Sequence, residues 1–340
     1  MRAAPKGDNQ PDMFVPDIQD LPLKDFGELM NAPLLFNGDY RGNTKTVTKL
    51  EYTGKKSTVR VEAPECGIAT IRDYDIILFA ISAIIETVNQ KDDDLPLSRY
   101  FGTHAYTFLK FSRRGDGKKQ YEDLAKALHR LKSTTIYIGH KNNKGEEIGA
   151  KGLSWIDEYK FERDPKTGKI THLEFDLAKW IYDAVQSHTS VLTLNKDYFL
   201  FTPQARWIYR LIRKSAGNNL HGWRYSMDEL YRLSGSQNSK RNWKFHFKKM
   251  LKGDKTRPAL LDFETTVVKD AKTGKEYLHY IHIEQLEKLL SNFDLSKGID
   301  YENVPVDTSK LNMIKPWLSE ENFRLLKEAK EKLFKTKLNC

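Results

Sequence analysis

Apolar positions along the chain alternate between a helical and a strand-like period, and the changes of period mark out its elements. Residues 1–20, with Pro5, Pro11 and Pro16 among polar neighbours, carry neither period and read as a flexible arm. Val47, Leu50, Tyr52, Val59 and Val61 around Gly54-Lys55-Lys56 predict a short hairpin. Over Thr70–Gln90, Ile77, Ala80, Ile81, Ile84, Ile85 and Val88 recur at three- and four-residue spacing and predict a long helix. Asp73 is its expected cap, with Asp75 favourable in the first turn. Helices over His104–Arg113 and Lys118–Lys132 follow, the second buried along Leu124, Leu128 and Leu131. Ser133–Ile138 is strand-like, and the Gly/Lys/Asn-rich stretch 139–152 reads as a connector. Two further strand-like runs, Leu153–Arg163 and Ile170–Phe175, flank the turn Asp164-Pro165-Lys166-Thr167-Gly168-Lys169, in which glycine supplies the positive φ.

After a linking helix over 177–185 the order recurs. Thr202-Pro203 is a helix start, and Trp207, Ile208, Leu211 and Ile212 give that helix a buried face ending at Gly217. Ser226 and Glu229 form a capping box for a short helix over Met227–Leu233. Ser234-Gly235-Ser236 then turns into a third helix over Gln237–Lys252, and strands over 260–268 and 276–283 flank Asp270-Ala271-Lys272-Thr273-Gly274-Lys275. The two tips, DPKTGK and DAKTGK, lie 106 residues apart, each closing a series of three helices and two strands. Recurrence of both tip and series argues for a duplicated module. Three helices with a β-hairpin is the winged-helix arrangement. The expected fold is therefore α+β, with two tandem winged-helix (helix-turn-helix plus β-hairpin) domains at 21–189 and 190–290. The arm 1–20 precedes them. Over 291–340 a linker and C-terminal helix or tail follow: Leu286, Leu289 and Leu290 close a helix, Asp294–Pro316 reads as the linker, and Ser319 caps a last helix with Phe323, Leu326 and Leu333.

The net charge of +10 and pI near 9.2 point to a polyanionic partner. Between Thr202 and Lys252 there are twelve Lys or Arg against only Asp228 and Glu229, an excess equal to that of the whole chain. Such confinement reads as an electrostatic footprint on nucleic acid. Membrane insertion is not expected, since the most apolar run, Ile76–Ile85, is too short to cross a bilayer. The N-terminus has no apolar signal region, and the sparse pair Cys66 and Cys340 fits no zinc or redox spacing; a cytoplasmic protein is expected. No G-x-x-x-x-G-K-[ST] loop occurs, and His279 and His282, three apart on a strand, fall on opposite faces. No catalytic residue, metal ligand or cofactor is expected, and the chain does not read as an enzyme.

The candidate chemistry lies in the third helix of the second module. Trp243, Phe247, Met250 and Leu251 form its core stripe, and from Ser236 to Lys252 there is no acid. Gln237, Asn238 and Arg241 are the candidates for base reading, because their bidentate donors and acceptors match adenine and guanine edges in the major groove. Ser236, Ser239, Lys240, Lys244, Lys248 and Lys249 are placed for phosphates. Phe245 either touches a thymine methyl or packs on a neighbour. In module one Lys118, Lys119 and Lys126 mix with Asp116, Glu122 and Asp123; with the tip lysines Lys166, Lys169, Lys272 and Lys275 they are candidates for secondary DNA contact.

Gly67 through Asp75 (GIATIRDYD), Tyr121 through Tyr137 (YEDLAKALHRLKSTTIY) and Val191 through Phe199 (VLTLNKDYF) resemble the plasmid initiators known as the replication initiator protein A family. Ile208 through Gly217 (IYRLIRKSAG) and Leu230 through Ser236 are similar as well, so the likeness covers roughly 20–285. It implies tandem winged helices, binding to repeated origin sites (iterons), recruitment of host replication proteins, and a homodimer acting as autorepressor. A winged-helix transcriptional repressor and a DNA nickase remain as alternatives. Direct repeats beside the gene favour the initiator, a single palindrome the repressor, and metal-dependent nicking of a supercoiled origin the nickase.

Overall fold

A computed structural model of the chain describes residues 24–26, 34–35, 46–54, 57–89, 98–186, 191–216, 219, 221–253, 260–292, 313–320 and 323–324. The expected arm 1–20, the helix stop at Gly217, most of the 294–316 linker, and Leu326 and Leu333 lie outside them. The elements run β1 (Lys24–Phe26), β2 (Lys49–Thr53), β3 (Ser57–Glu62), α1 (Asp75–Asn89), β4 (Tyr100–His104), α2 (Ala105–Phe111), α3 (Lys118–Ser133), β5 (Thr135–Lys141), β6 (Glu147–Leu153), β7 (Ile156–Arg163), β8 (Ile170–Leu177), α4 (Lys179–Gln186) and β9 (Val191–Thr193). Then come α5 (Pro203–Ala216), β10 (Trp223–Ser226), α6 (Met227–Ser234), α7 (Lys240–Leu251), β11 (Phe263–Lys269), β12 (Glu276–His282) and α8 (Ile283–Asn292). One compact unit takes the described residues up to Leu211 together with Arg232–Trp243; the other takes Ile212–Tyr231 and those from Lys244 onward.

Within this order one series appears twice: helix, strand, helix, helix, strand, strand, helix. The first copy is α1-β4-α2-α3-β7-β8-α4 and the second α5-β10-α6-α7-β11-β12-α8. Each copy forms an antiparallel three-stranded sheet with the last strand in the middle, β4-β8-β7 and β10-β12-β11. The short strands β4 and β10, joining each sheet from between the first two helices, were not legible in the hydrophobic pattern. An aromatic pair spans each joint: Phe101 stacks on Phe175 with centroids 5.4 Å apart, and Tyr225 on Tyr280 at 6.1 Å.

The hairpin tips repeat atom for atom. Asp164 takes the amides of Lys166 and Thr167 on its carboxylate at 2.8 and 2.7 Å; Asp270 takes those of Lys272 and Thr273 at 3.0 and 2.7 Å. Gly168 and Gly274 both sit at φ +66°, where a Cβ is disfavoured, and donate to the carbonyls of Asp164 and Asp270. These amide bonds hold both aspartates below the usual carboxylate range.

The first copy carries an insertion. The glycine-rich stretch 139–152, expected as a connector, is instead the β5–β6 hairpin, which extends the β2–β3 hairpin into the sheet β2-β3-β5-β6. Its residues have weak strand propensity, and β5 is held through pairing with β3 from Ser57↔His140 to Glu62↔Thr135. Helix α1 is buried at twelve of fifteen positions, so it is a central rather than an amphipathic helix. Asp73 does not cap it. Its carboxylate accepts from the Thr70 amide at 2.8 Å and from two nitrogens of Arg130 at 2.7 Å, ahead of the helix start. In the second unit Ile314 is fully buried and the Met313 backbone reaches His279, so this part of the expected linker packs on the unit.

Candidate nucleic-acid interface

Helix α5 starts as its residues dictate. Thr202 caps it, its hydroxyl accepting from the Ala205 amide at 3.3 Å, and Pro203 fills the first position. Two of its arginines face inward. Arg206, 3% exposed, donates to both carboxylate oxygens of Asp75 at 2.8 and 2.9 Å and to the Phe199 carbonyl at 2.6 Å. Arg210, 4% exposed, holds Asp25 at 2.6 Å, and the Tyr74 hydroxyl donates to the same carboxylate at 2.8 Å. Burial lowers the Arg210 pKa, but the Asp25 charge and the neighbouring tyrosines outweigh it, and the net shift is upward. Burial, then Asp25, pushes the Tyr74 phenol well up. Arg206 and Arg210 are therefore structural. The expected charge footprint over 202–252 is smaller at the surface than in the sequence, because two of its twelve cations are neutralised by acids 131 and 185 residues away.

The second and third helices of this copy are joined by a run of serines that bond their own backbone. Ser226 caps α6, accepting from the Glu229 amide at 3.1 Å as the capping box requires. Gly235 at φ +64° takes the chain out of α6. The Ser234 hydroxyl accepts from the Ser236 amide and the Ser236 hydroxyl from the Asn238 amide, both at 3.2 Å. Ser239 caps α7, its hydroxyl accepting from the Asn242 amide at 3.4 Å. Such local bonds compete with helix, so α7 begins at Lys240, three residues later than expected. Gln237 and Asn238 thus lie in the turn, Gln237 exposed with its amide nitrogen on the Gly235 carbonyl at 3.1 Å, Asn238 half-buried. Asn242 was missed for the same reason: it is an exposed amide in the first turn of the helix.

Along α7 the expected phase holds at its centre. Trp243 and Phe247 are buried, Met250 and Leu251 only half-buried. Lys240, Arg241, Asn242, Phe245 and Lys249 are exposed, with Phe245 at 66%. Arg241, Phe245 and Lys249 follow one another at four-residue spacing, one ridge without an acid. Lys244 and Lys248 form a second row turned toward β12. The Lys244 ammonium is 3.2 Å from Asp228 and 3.4 Å from Glu276, and Lys248 donates to Glu276 at 2.5 Å. The hydrogen bond from Lys248, then the charges of both lysines, hold the Glu276 carboxyl below its usual range. This clamp seats the third turn of α7 against the strand residue that follows Lys275, and Lys272 and Lys275 stand exposed on the tip. Beside them the Arg224 guanidinium lies over the Tyr277 ring at 4.6 Å.

The corresponding surface of the first copy is mixed in sign. Lys118, Lys119 and Lys126 on α3 are exposed, but so is Glu122 between them. Lys166 is exposed on its tip; Lys169 is half-buried, its ammonium on the Asp116 carbonyl at 3.3 Å and over the Tyr121 ring at 5.5 Å. No described helix is long and apolar enough to cross a membrane.

The sequence model of the replication initiator protein A family matches residues 24–260, more than two thirds of the chain. The chain belongs to the replication initiator protein A family. A relative in this direction is a protein of Wigglesworthia glossinidia brevipalpis described as a replication protein, 29% identical over 199 residues, which cover 57% of this chain and 70% of the relative. Among solved structures, a crystal structure of domains 2 and 3 of RctB is similar in fold, with a TM-score of 0.51 and 12% identity over 74% of this chain and 98% of that one. The match to the initiator A family spans α1 through α7 and stops just before β11, so it takes in the ridge Arg241, Phe245 and Lys249.

Proposed function

We infer that this member of the replication initiator A family binds duplex DNA sequence-specifically, at repeated sites of a plasmid origin, through two winged-helix modules. The single observation that carries this reading is the acid-free ridge of α7, set after a capped turn and beside the exposed tip of a β-hairpin. In a helix-turn-helix the N-terminal part of the corresponding helix lies against base edges in the major groove, and a hairpin follows as a wing. On this reading Gln237, Asn238, Arg241 and, beside them, Asn242 read bases. Ser236, Ser239, Lys240 and Lys249 hold phosphates, with Lys244 and Lys248 orienting the helix as much as contacting DNA. Lys118, Lys119, Lys126, Lys166, Lys169, Lys272 and Lys275 supply weaker contacts.

The chain acts without covalent chemistry or cofactor, marking the origin for host replication proteins and repressing its own gene as a dimer in the cytoplasm. Footprinting of the full chain on the DNA flanking its gene tests this. Protection of several direct repeats is expected. Protection of one palindrome with no repeats makes it a repressor, and metal-dependent nicking of the supercoiled plasmid makes it a nickase.

A further inference from the structure

Phe245 is the largest apolar exposure on α7, and nothing in the fold requires a phenyl ring there. It is 66% exposed, its ring meeting only the edge of its neighbour His246 at 5.1 Å between centroids. One turn before it stands Arg241, one turn after it Lys249, both exposed. An apolar protein-docking surface needs a contiguous patch, and here the neighbouring exposed positions, Asn242 and Lys249, are polar. A single ring flanked by cations matches a different surface. In the major groove the apolar feature is the C5 methyl of a pyrimidine, which stands beside the acceptor edge of guanine and between phosphate rows.

We propose that Phe245 reads a pyrimidine C5 methyl group in the major groove, so that the recognised site carries a thymine, or a 5-methylcytosine, at a fixed distance from the base held by Arg241. This rests on duplex DNA lying against α7. Four residues of helix advance about 6 Å, close to two base steps at about 3.4 Å each along a strand. The methyl therefore lies about two base pairs from the guanine.

The test uses the full chain. A duplex is selected from a random library, and each thymine in it is replaced in turn by deoxyuridine, which lacks only the methyl. At one or two positions the wild-type chain should lose about four-fold in affinity, the factor that corresponds to burying one methyl carbon at ~0.8 kcal/mol. Restoring the methyl as 5-methylcytosine paired with guanine at that position, compared with plain cytosine, separates the two sources. Gain from 5-methylcytosine means any C5 methyl is read; no gain with a thymine effect means thymine alone is read. Phe245→Ala should bind the thymine and deoxyuridine duplexes equally, while Phe245→Leu keeps part of the difference. Because the deoxyuridine series uses the wild-type chain, it does not depend on a variant folding. Equal binding of wild type across the whole series overturns the role of Phe245 alone. Failure to enrich any duplex sequence overturns it together with the DNA-binding reading.

Discussion

Asp75→Ala is the most informative perturbation of the scaffold. The carboxylate is fully buried and accepts two bonds from Arg206 at 2.8 and 2.9 Å and one from Arg114 at 2.6 Å. Removing it leaves the Arg206 guanidinium, whose side chain is 4% exposed, without its counter-charge. Breaking a buried pair from one side costs about 3–5 kcal/mol. Arg206 keeps the Phe199 and Phe201 carbonyls and Arg114 is partly open to water, which places the expected loss near the lower end, about 3 kcal/mol. Removing both charges, in Asp75→Leu/Arg206→Met, should restore most of that loss, since the isolated charge rather than the lost attraction dominates it. Urea unfolding followed by amide exchange in α1 measures both. Below the transition the salt dependence of DNA binding should be unchanged in the double variant, because Arg206 has no exposed charge to give. An Asp75→Ala stability within 1 kcal/mol of wild type, or a double variant no more stable than the single, refutes the reasoning.

Trp243→Ala truncates a buried side chain and should lower stability by roughly 3–5 kcal/mol, read from thermal unfolding. Arg241→Ala should cost about 1–3 kcal/mol on a selected duplex and much less on scrambled DNA, whereas Lys249→Ala should weaken both alike and reduce the salt slope by about one. Lys248→Ala should change the slope less than Lys249→Ala, since its ammonium is already committed to Glu276. Burial, then the Arg224 charge, pushes His279 down to about 4. A base with a depressed folded pKa contributes stability that is present above the unfolded value near 6.5 and lost as pH falls toward 4. Acid unfolding of the second unit should accordingly begin below pH 6.5, with a shallower slope in His279→Phe.

The parts of the fold that announce themselves locally were legible in the sequence. Caps at Thr202 and Ser226 use side chains within three residues, and both hairpin tips close on their own aspartates. Strands β4 and β10 were not, because each is four or five residues long and is held by partners more than fifty residues on. The start of α7 was misjudged for a local reason: its helical periodicity extends backward through Gln237, but three serine hydroxyls outcompete helix there. The charge window failed for a distant one. A sequence count treats Arg206 and Arg241 alike, and only the tertiary position of Asp75 separates an internal tie from a surface cation.

The self-closing tips also set an order of assembly. Strands β7 and β8, and β11 and β12, are joined by six-residue turns whose bonds all fall within the turn, so each hairpin can form in about 1–10 μs without help from the rest of the chain. Strand β4 must close a loop from Tyr100 to Asp176, and β10 one from Trp223 to Tyr280, before either gains a single ladder bond. The last-joining strand is in each copy the one leading straight into the second helix. Each three-helix set is therefore completed only when a preformed ribbon captures that strand, and the rate of this non-local step governs how fast the chain reaches its working form.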